Sequence, residues 1–230
     1  MITEAVILAG GLGTRLRSEV SDRPKVLAEV NGRPFIHFVL DYLVEQGMEH
    51  VILSVGYMGE LIEKHLGSHY ENVRISYVYE EIPMGTGGGI YLSLKEARQD
   101  VVAVVNGDTI FQVDLQSMAD YHKANNADFT LALKRMENFD RYGTVEVDDN
   151  GYVTAFKEKT FMDQGLINGG VYTISRHDFV DHKFKLPFSL EQDYFEKYLK
   201  KDVICGIECD AYFLDIGISE DYKRAQLELK

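Results

Sequence analysis

The sequence predicts an α/β fold: a mostly parallel sheet with helices on both faces, followed by a region of mixed strands. Three observations carry that expectation. From Glu4 to Asn125, short β-branched runs alternate with longer stretches of helical periodicity, as parallel βαβ units require. After Asn125 the texture changes to a succession of short strands with turn residues between them. Polar or Gly-rich segments at Gly10, Glu80 and Asn106 each follow a strand, and open α/β sheets gather their ligands at strand carboxyl ends.

Taken in order, residues 5–9 read as a buried first strand and residues 10–25, rich in Gly and charge without a period, as a loop. Pro34 is expected to open a helix whose apolar residues Phe35, Phe38, Val39, Tyr42 and Leu43 fall three and four apart, closed by Gly47. A strand at 50–55, a helix at 59–66 and a strand at 75–79 follow. Pro83-Met-Gly-Thr-Gly-Gly-Gly89 should break the chain before the next helix, and 101–105 is a buried strand ending in Asn106-Gly-Asp108. Strands are then expected at 129–134, 143–147, 152–158 and 168–174, with Asp149-Asn-Gly151 as a hairpin turn. Ser189-Leu-Glu-Gln192 has the form of a capping box opening a helix to about residue 200. Strands at 203–207 and 212–215 and a helix from Ser219 close the chain. No repeat or linker interrupts it, so one domain is expected over 1–230, with 1–125 and 126–230 as its two parts.

The chain has 230 residues, with 24 Lys and Arg against 37 Asp and Glu, a net charge of −13. A molecule this acidic repels DNA and anionic lipid except through a local basic patch, which removes nucleic acid and membrane from the expected partners. Hydrophobic residues make up 45% of the sequence, enough for a core and too many for wholesale disorder. Cys205 and Cys209 are too few for a disulfide framework and lack zinc-site spacing, so both are read as reduced thiols. The longest apolar runs are five residues, far below the roughly 20 that span a bilayer, and no signal-peptide pattern precedes them. A cytoplasmic location is expected, and self-association stays open.

The loop Leu8-Ala-Gly-Gly-Leu-Gly-Thr-Arg-Leu16, followed by Pro24-Lys25, has three glycines in four positions, which lets successive N–H groups form an anion-binding concavity. Leu16 stands where a dinucleotide fingerprint has its third glycine, and the Gly-Lys-Ser/Thr of a P-loop is missing. Arg15, Arg17, Arg23 and Lys25 outweigh Glu19 and Asp22 here, a positive island in an acidic chain. His65 and His69 are four apart but have no third ligand, which argues against a metal site there.

Gly-Gly-x-Gly-Thr-Arg-Leu with Pro-Lys resembles the signature of sugar-1-phosphate nucleotidyltransferases. The likeness extends through Pro83-Met-Gly-Thr-Gly-Gly88, Asn106-Gly-Asp108, Glu158-Lys159, Asn168-Gly-Gly170 and Asp215-Ile-Gly217. Asp140-Arg-Tyr-Gly-Thr144 and Gln164-Gly-Leu-Ile-Asn-Gly-Gly170 are most similar to D-glycero-α-D-manno-heptose 1-phosphate guanylyltransferases, with mannose-1-phosphate guanylyltransferases next. The resemblance implies a Rossmann-like, glycosyltransferase-A-like fold and transfer of a nucleotidyl group, GMP from GTP, to a sugar 1-phosphate with release of pyrophosphate.

The same resemblance implies the residues that do it. Asp108 and Asp215 would hold Mg²⁺, while Arg15, Lys25 and Lys159 would complete the catalytic set. Leu8, Gly10, Gly11, Gly13, Thr14, Arg15, Lys25, Glu80, Gly85, Thr86 and Asp108 would bind the nucleotide. Gly107, Gly143, Glu158, Lys159, Asn168 and Gly169 would bind the sugar phosphate. Thr160 departs from the Pro that often follows the family lysine. The chemistry is consistent with these residue types: two anions must meet, so charge neutralisation and in-line positioning are the main tasks, and the attacking phosphate oxygen needs no general base. A carboxylate, Glu80 or equally its neighbour Glu81, can accept from the N1–H/N2–H₂ edge of guanine, which uracil lacks. Other bases and a non-catalytic nucleotide-sugar sensor are the alternatives, the latter disfavoured by the full set of charged residues. Arg17 and Arg23 are read as a solvated face.

Overall fold

The computed structural model describes residues 1–11 and 23–230. In chain order the elements are β1 (Glu4–Ala9), a 3₁₀ turn (Lys25–Leu27), β2 (Glu29–Val30), β3 (Arg33–Pro34), α1 (Phe35–Glu45), β4 (His50–Val55), α2 (Gly59–Leu66), β5 (His69–Tyr70) and β6 (Val73–Tyr79). There follow α3 (Gly85–Glu96), β7 (Val101–Asn106), β8 (Thr109–Phe111), α4 (Leu115–Ala124), β9 (Phe129–Phe139), β10 (Thr144–Val147), β11 (Val153–Lys157), β12 (Met162–Ser175) and α5 (Arg176–Asp181). A wide π turn (Leu190–Phe195) runs into α6 (Glu196–Tyr198), and β13 (Ile204–Glu208), β14 (Phe213–Asp215) and α7 (Ser219–Glu228) end the fold.

Among the described residues, ten strands form one sheet through both halves of the chain. Its centre is parallel, in the order β7-β1-β4-β6. Apolar clusters cover both faces of β1, Ala5 and Ile7 entering one and Val6 the other, which explains its run of β-branched and aliphatic residues with no polar alternation. The chain builds outward from β1 through β4 to β6 and then returns to β7 on the other side of β1. That reversal opens a crevice at the carboxyl ends of β1 and β7. Beyond β7, β12 and β9 run antiparallel, and β13 adds to β9 in parallel.

The long β12 changes partners along its length. Residues 171–175 pair with β7, while Ile167 pairs with β10, and the register slips between Asn168 and Tyr172. Gly170, with φ +74°, sits in that slip, so the bend depends on a left-handed conformation that a side chain would resist. Two apolar clusters fill the faces. One gathers β1, β4, α1 and α4 around Ile7, Phe35, Leu40 and Leu53, and the other packs α3 and the π turn around Phe129, Phe179, Tyr194 and Phe195.

Several expectations shift. Pro34 lies at the end of β3 in an extended conformation (φ −56°, ψ 137°), so the helix begins at Phe35 instead. The glycines at 87–89 do not break the chain but lie inside α3, buried. A Cβ at Gly88 would lie 2.8 Å from Met84, and one at Gly89 would lie 3.0 Å from both Glu80 and Ser54, so glycine permits close packing there. The helix expected from Ser189 opens as the π turn. The Ser189 hydroxyl accepts from Gln192 N at 3.3 Å, but Ser189 N donates to Asp193 Oδ2 at 2.9 Å, one residue later than a capping box places the acceptor. β9 and β12 are far longer than their predicted cores. Asp149-Asn-Gly151 turns as expected, with Gly151 at φ +83°.

Candidate functional site

Three backbone pairings assemble the crevice. β7 ends in Asn106-Gly107-Asp108, and Gly107 N donates to Leu8 O at 2.9 Å, joining this turn to the end of β1. The chain then enters β8, whose antiparallel partner β14 sets Asp215 opposite Thr109. Ile216 N donates to Asp108 O at 3.0 Å, completing the ladder beside the two aspartates. Carboxylates 107 residues apart in sequence are thereby neighbours because one short hairpin-like pairing aligns them.

Lys25 reaches the same point from the 3₁₀ turn. Its side chain is only 12% exposed, and Nζ lies 2.6 Å from Asp108 Oδ2 and 4.0 Å from Asp215 Oδ1. Burial pushes the Asp215 carboxyl above its ordinary range and the charge of Asp108 adds to the rise. Lys25, the Gly217 N–H and the Tyr142 O–H act in the opposite direction. Such a pair of half-buried carboxylates requires cationic compensation, and the ammonium of Lys25 supplies part of it.

Two cavities meet at this seam, both lined by Lys25, Asn106, Asp108 and Gly217. The first, about 410 Å³, is lined by Leu8, Gly10 and Gly11 from the end of β1 and by Glu80, Gly85 and Thr86 from the β6–α3 connection. Glu80 is anchored through both oxygens: Oε1 accepts from Ser54 Oγ at 2.9 Å and Oε2 from Met84 N at 3.0 Å. A Cβ on Gly10 would lie 2.5 Å from Glu80 Oε1, so the absence of a side chain there leaves the carboxylate room. Glu81 is exposed and lines neither cavity.

The second cavity, about 590 Å³, is lined by Asp215, Tyr142, Gly143, Glu158, Lys159, Asn168 and Gly169. Asn168 Nδ2 donates to Tyr172 Oη at 2.9 Å and Oδ1 accepts from Gly170 N at 3.0 Å, which leaves one donor and one lone pair of the amide for a ligand. Any Cβ on Gly143 would collide with Lys157 O, so this glycine lets β10 approach β11.

The crevice therefore brings together most of the residues singled out in the sequence. Gly107 lines neither cavity and packs against β1, where a Cβ would lie 2.8 Å from Leu8 O. Gly13, Thr14, Arg15 and Arg17 lie outside the described residues. Arg23 pairs with Glu29 at 2.6 Å, as a surface arginine should. Sequence reasoning missed Ser54, Tyr142 and the Ser189–Glu196 segment that lines the second cavity. Ser54 left a trace as a polar residue near the carboxyl end of the strand at 50–55, and Tyr142 stands beside Gly143 in a run already noted. Cys205 is buried, its thiol pushed up to about 11, and both cysteines are free.

The pattern of the nucleotidyl transferase family matches residues 4–230. The chain belongs to that family. Among its relatives is D-glycero-α-D-manno-heptose 1-phosphate guanylyltransferase from Aneurinibacillus thermoaerophilus, 47% identical over 99% of this chain and 98% of that one. The protein of the same description from Campylobacter jejuni subsp. jejuni is 44% identical over 95% of this chain and 96% of the relative. Mannose-1-phosphate guanylyltransferase from Mycobacterium tuberculosis is 36% identical and matches 64% of its own length. The crystal structure of HddC from Yersinia pseudotuberculosis superposes with a TM-score of 0.89 at 33% identity over the whole of both chains, and the same protein complexed with GMP-PN gives 0.88.

This nucleotidyltransferase thus has the fold the sequence predicted. Nucleotidyltransferases of this kind generally use a divalent metal ion. The donor set fits one: Asp108 and Asp215 offer hard oxygen ligands side by side. Two carboxylates leave most of an octahedral shell to water and substrate oxygens, as Mg²⁺-type cations commonly take it. No helix among the described residues is long and apolar enough to cross a membrane.

Proposed function

We propose that the chain transfers GMP from GTP to D-glycero-α-D-manno-heptose 1-phosphate, releasing pyrophosphate and using Mg²⁺. The observation that carries this reading is the seam itself: two cavities of unlike lining share Lys25 and Asp108, with Asp215 beside them in the second, the arrangement needed where two polyanions react. Residues 1–125 serve the nucleotide and 126–230 the sugar phosphate. The near-half identity to two heptose 1-phosphate guanylyltransferases supports the choice of acceptor.

In this reading the triphosphate lies along Gly10, Gly11, Gly13 and Thr14, with Arg15 and Lys25 neutralising the departing pyrophosphate. Guanine lies toward Glu80. Both of its oxygens already hold one protein bond each, and each retains a lone pair for the N1–H and N2–H₂ edge. Lys159 faces the sugar phosphate, and Glu158, Gly143, Asn168 and Gly169 face the sugar. Asp108 and Asp215 would hold Mg²⁺, which when bound supplies charge neutralisation for the phosphate oxygens at the seam. The phosphate oxygen of the acceptor is already ionised at neutral pH, so positioning, not proton removal, is the task of the protein.

The test is pyrophosphate release with a panel of triphosphates and sugar 1-phosphates. GTP with heptose 1-phosphate should give the highest kcat/KM. Preference for mannose 1-phosphate would replace the acceptor, preference for another triphosphate would replace the base, and no release with any pair would favour a nucleotide-sugar sensor.

A further inference from the structure

Tyr142 has no role in the reading above, yet it is the side chain that fixes one of the two proposed metal-holding carboxylates. Its hydroxyl donates to Asp215 Oδ2 at 3.0 Å, while Gly217 N donates to Asp215 Oδ1 at 2.6 Å. The two donors take different oxygens, so the carboxylate can neither flip nor rotate without breaking a bond. Each oxygen keeps a lone pair, and Oδ1 lies on the side of Lys25. The Tyr142 ring is held in turn: it meets Phe213 edge-on at 6.3 Å, and the Arg141 guanidinium lies 5.4 Å from its centre. Arg141 also pairs with Asp221 in the first turn of α7 at 2.7 Å. The connection before β10 is thereby tied to the strand that carries Asp215 and to the helix after it.

We propose that Tyr142 is a positioning residue that presets the Asp215 carboxylate for a divalent cation, and that the Arg141–Asp221 pair holds Tyr142 in place. The inference rests on the metal assignment in the proposed function. It requires that the carboxylate be oriented before metal and substrate arrive, since a carboxylate free to turn would have to be ordered at each binding event.

Tyr142→Phe removes the hydroxyl and keeps the ring, so its packing against Phe213 survives. Mn²⁺ binding to the intact protein is read from the loss of the free-ion electron paramagnetic resonance signal, with and without GTP, for the wild type, Tyr142→Phe and Asp215→Asn. Tyr142→Phe is expected to weaken Mn²⁺ binding about tenfold, which corresponds to about 1.4 kcal/mol. The same variant should raise the half-saturating Mg²⁺ concentration for pyrophosphate release by a similar factor, with kcat restored by added Mg²⁺ and KM for GTP unchanged. Asp221→Asn should move Mn²⁺ affinity in the same direction by a smaller factor.

Unchanged Mn²⁺ affinity in Tyr142→Phe, with a melting temperature equal to wild type, overturns the proposal. A rise confined to KM for the sugar phosphate also overturns it and makes Tyr142 an acceptor contact. Failure of the proposed function is separable: there the wild type shows no turnover with GTP and heptose 1-phosphate. If Asp215→Asn binds Mn²⁺ like wild type, the metal assignment itself fails.

Discussion

Glu80 offers the sharpest mutational test of base choice. Its carboxylate accepts from Ser54 Oγ and Met84 N, one bond to each oxygen, and has one lone pair left on each for the guanine edge. Glu80→Gln keeps the length but replaces one oxygen with an NH₂ group. Met84 N can only donate, whereas Ser54 can rotate to accept, so the amide settles with its oxygen toward Met84 and its nitrogen toward Ser54. The nitrogen then opposes a donor of guanine, and the negative charge is gone. One hydrogen bond to a charged group is worth about 1.5–3 kcal/mol, so kcat/KM for GTP should fall about 10- to 150-fold. The fold should survive, because Ser54 and Met84 keep partners. UTP has no N1–H/N2–H₂ edge and its kcat/KM should change by less than about threefold, on the order of the 0.6 kcal/mol that RT represents. Pyrophosphate release with GTP, ATP and UTP in parallel reads the effect. A variant that uses GTP as well as wild type, or loses all three nucleotides equally, would refute the argument that Glu80 reads the base.

Asp108→Ala should reduce turnover by more than about a hundredfold while circular dichroism and melting stay near wild type, since the carboxylate contributes its charge to the crevice and not to the core; near-normal rates in Mg²⁺ would remove it from the seam. Lys159→Ala should raise KM for the sugar phosphate with little change for GTP, and steady-state kinetics in which only GTP is affected would move this lysine to the first cavity. Gly10→Ala would place Cβ 2.5 Å from Glu80 Oε1, so GTP affinity measured by calorimetry should weaken, and unchanged affinity would show that the loop yields freely. His122 is buried between Thr130 and Ser175 and its pKa is pushed down from 6.5 to about 4 by burial, so folding holds it neutral while the unfolded chain takes up a proton below about 6.5. Stability is therefore lost as the pH falls through the 6.5-to-4 window, by about 2 kcal/mol between pH 7 and 5. Urea unfolding of wild type and His122→Asn should converge as the pH drops, and parallel curves would contradict the assignment.

Much of this architecture was legible because burial leaves a pattern. β1, β4 and β7 read as strands because both faces are covered, and the polar residues after them marked the crevice without any knowledge of topology. The nearness of Asp108 and Asp215 was implied only by resemblance, since it depends on the β8–β14 pairing: β14 was read as a strand at 212–215, but the three residues of β8 carry too little periodicity to announce themselves. The glycines at 87–89 misled because their use is tertiary: they make room for Phe188, Met84 and Glu80, while local preference alone treats them as breakers. The lengths of β9 and β12 escaped notice for a related reason. Their outer halves pair mainly with each other beyond the core, where the sequence is polar and Gly-containing, and only the inner halves show the apolar runs by which strands are recognised. Tyr142 was visible but mute, because a tyrosine's packing does not reveal where its hydroxyl will point.

The most direct measurement is a crystal structure of the protein with its nucleotide-sugar product bound. The diphosphate should lie across the seam beside Lys25, Asp108 and Asp215, with guanine at Glu80 and the sugar at Asn168 and Glu158. A product bound in one cavity alone, or with base and sugar exchanged, would contradict the account.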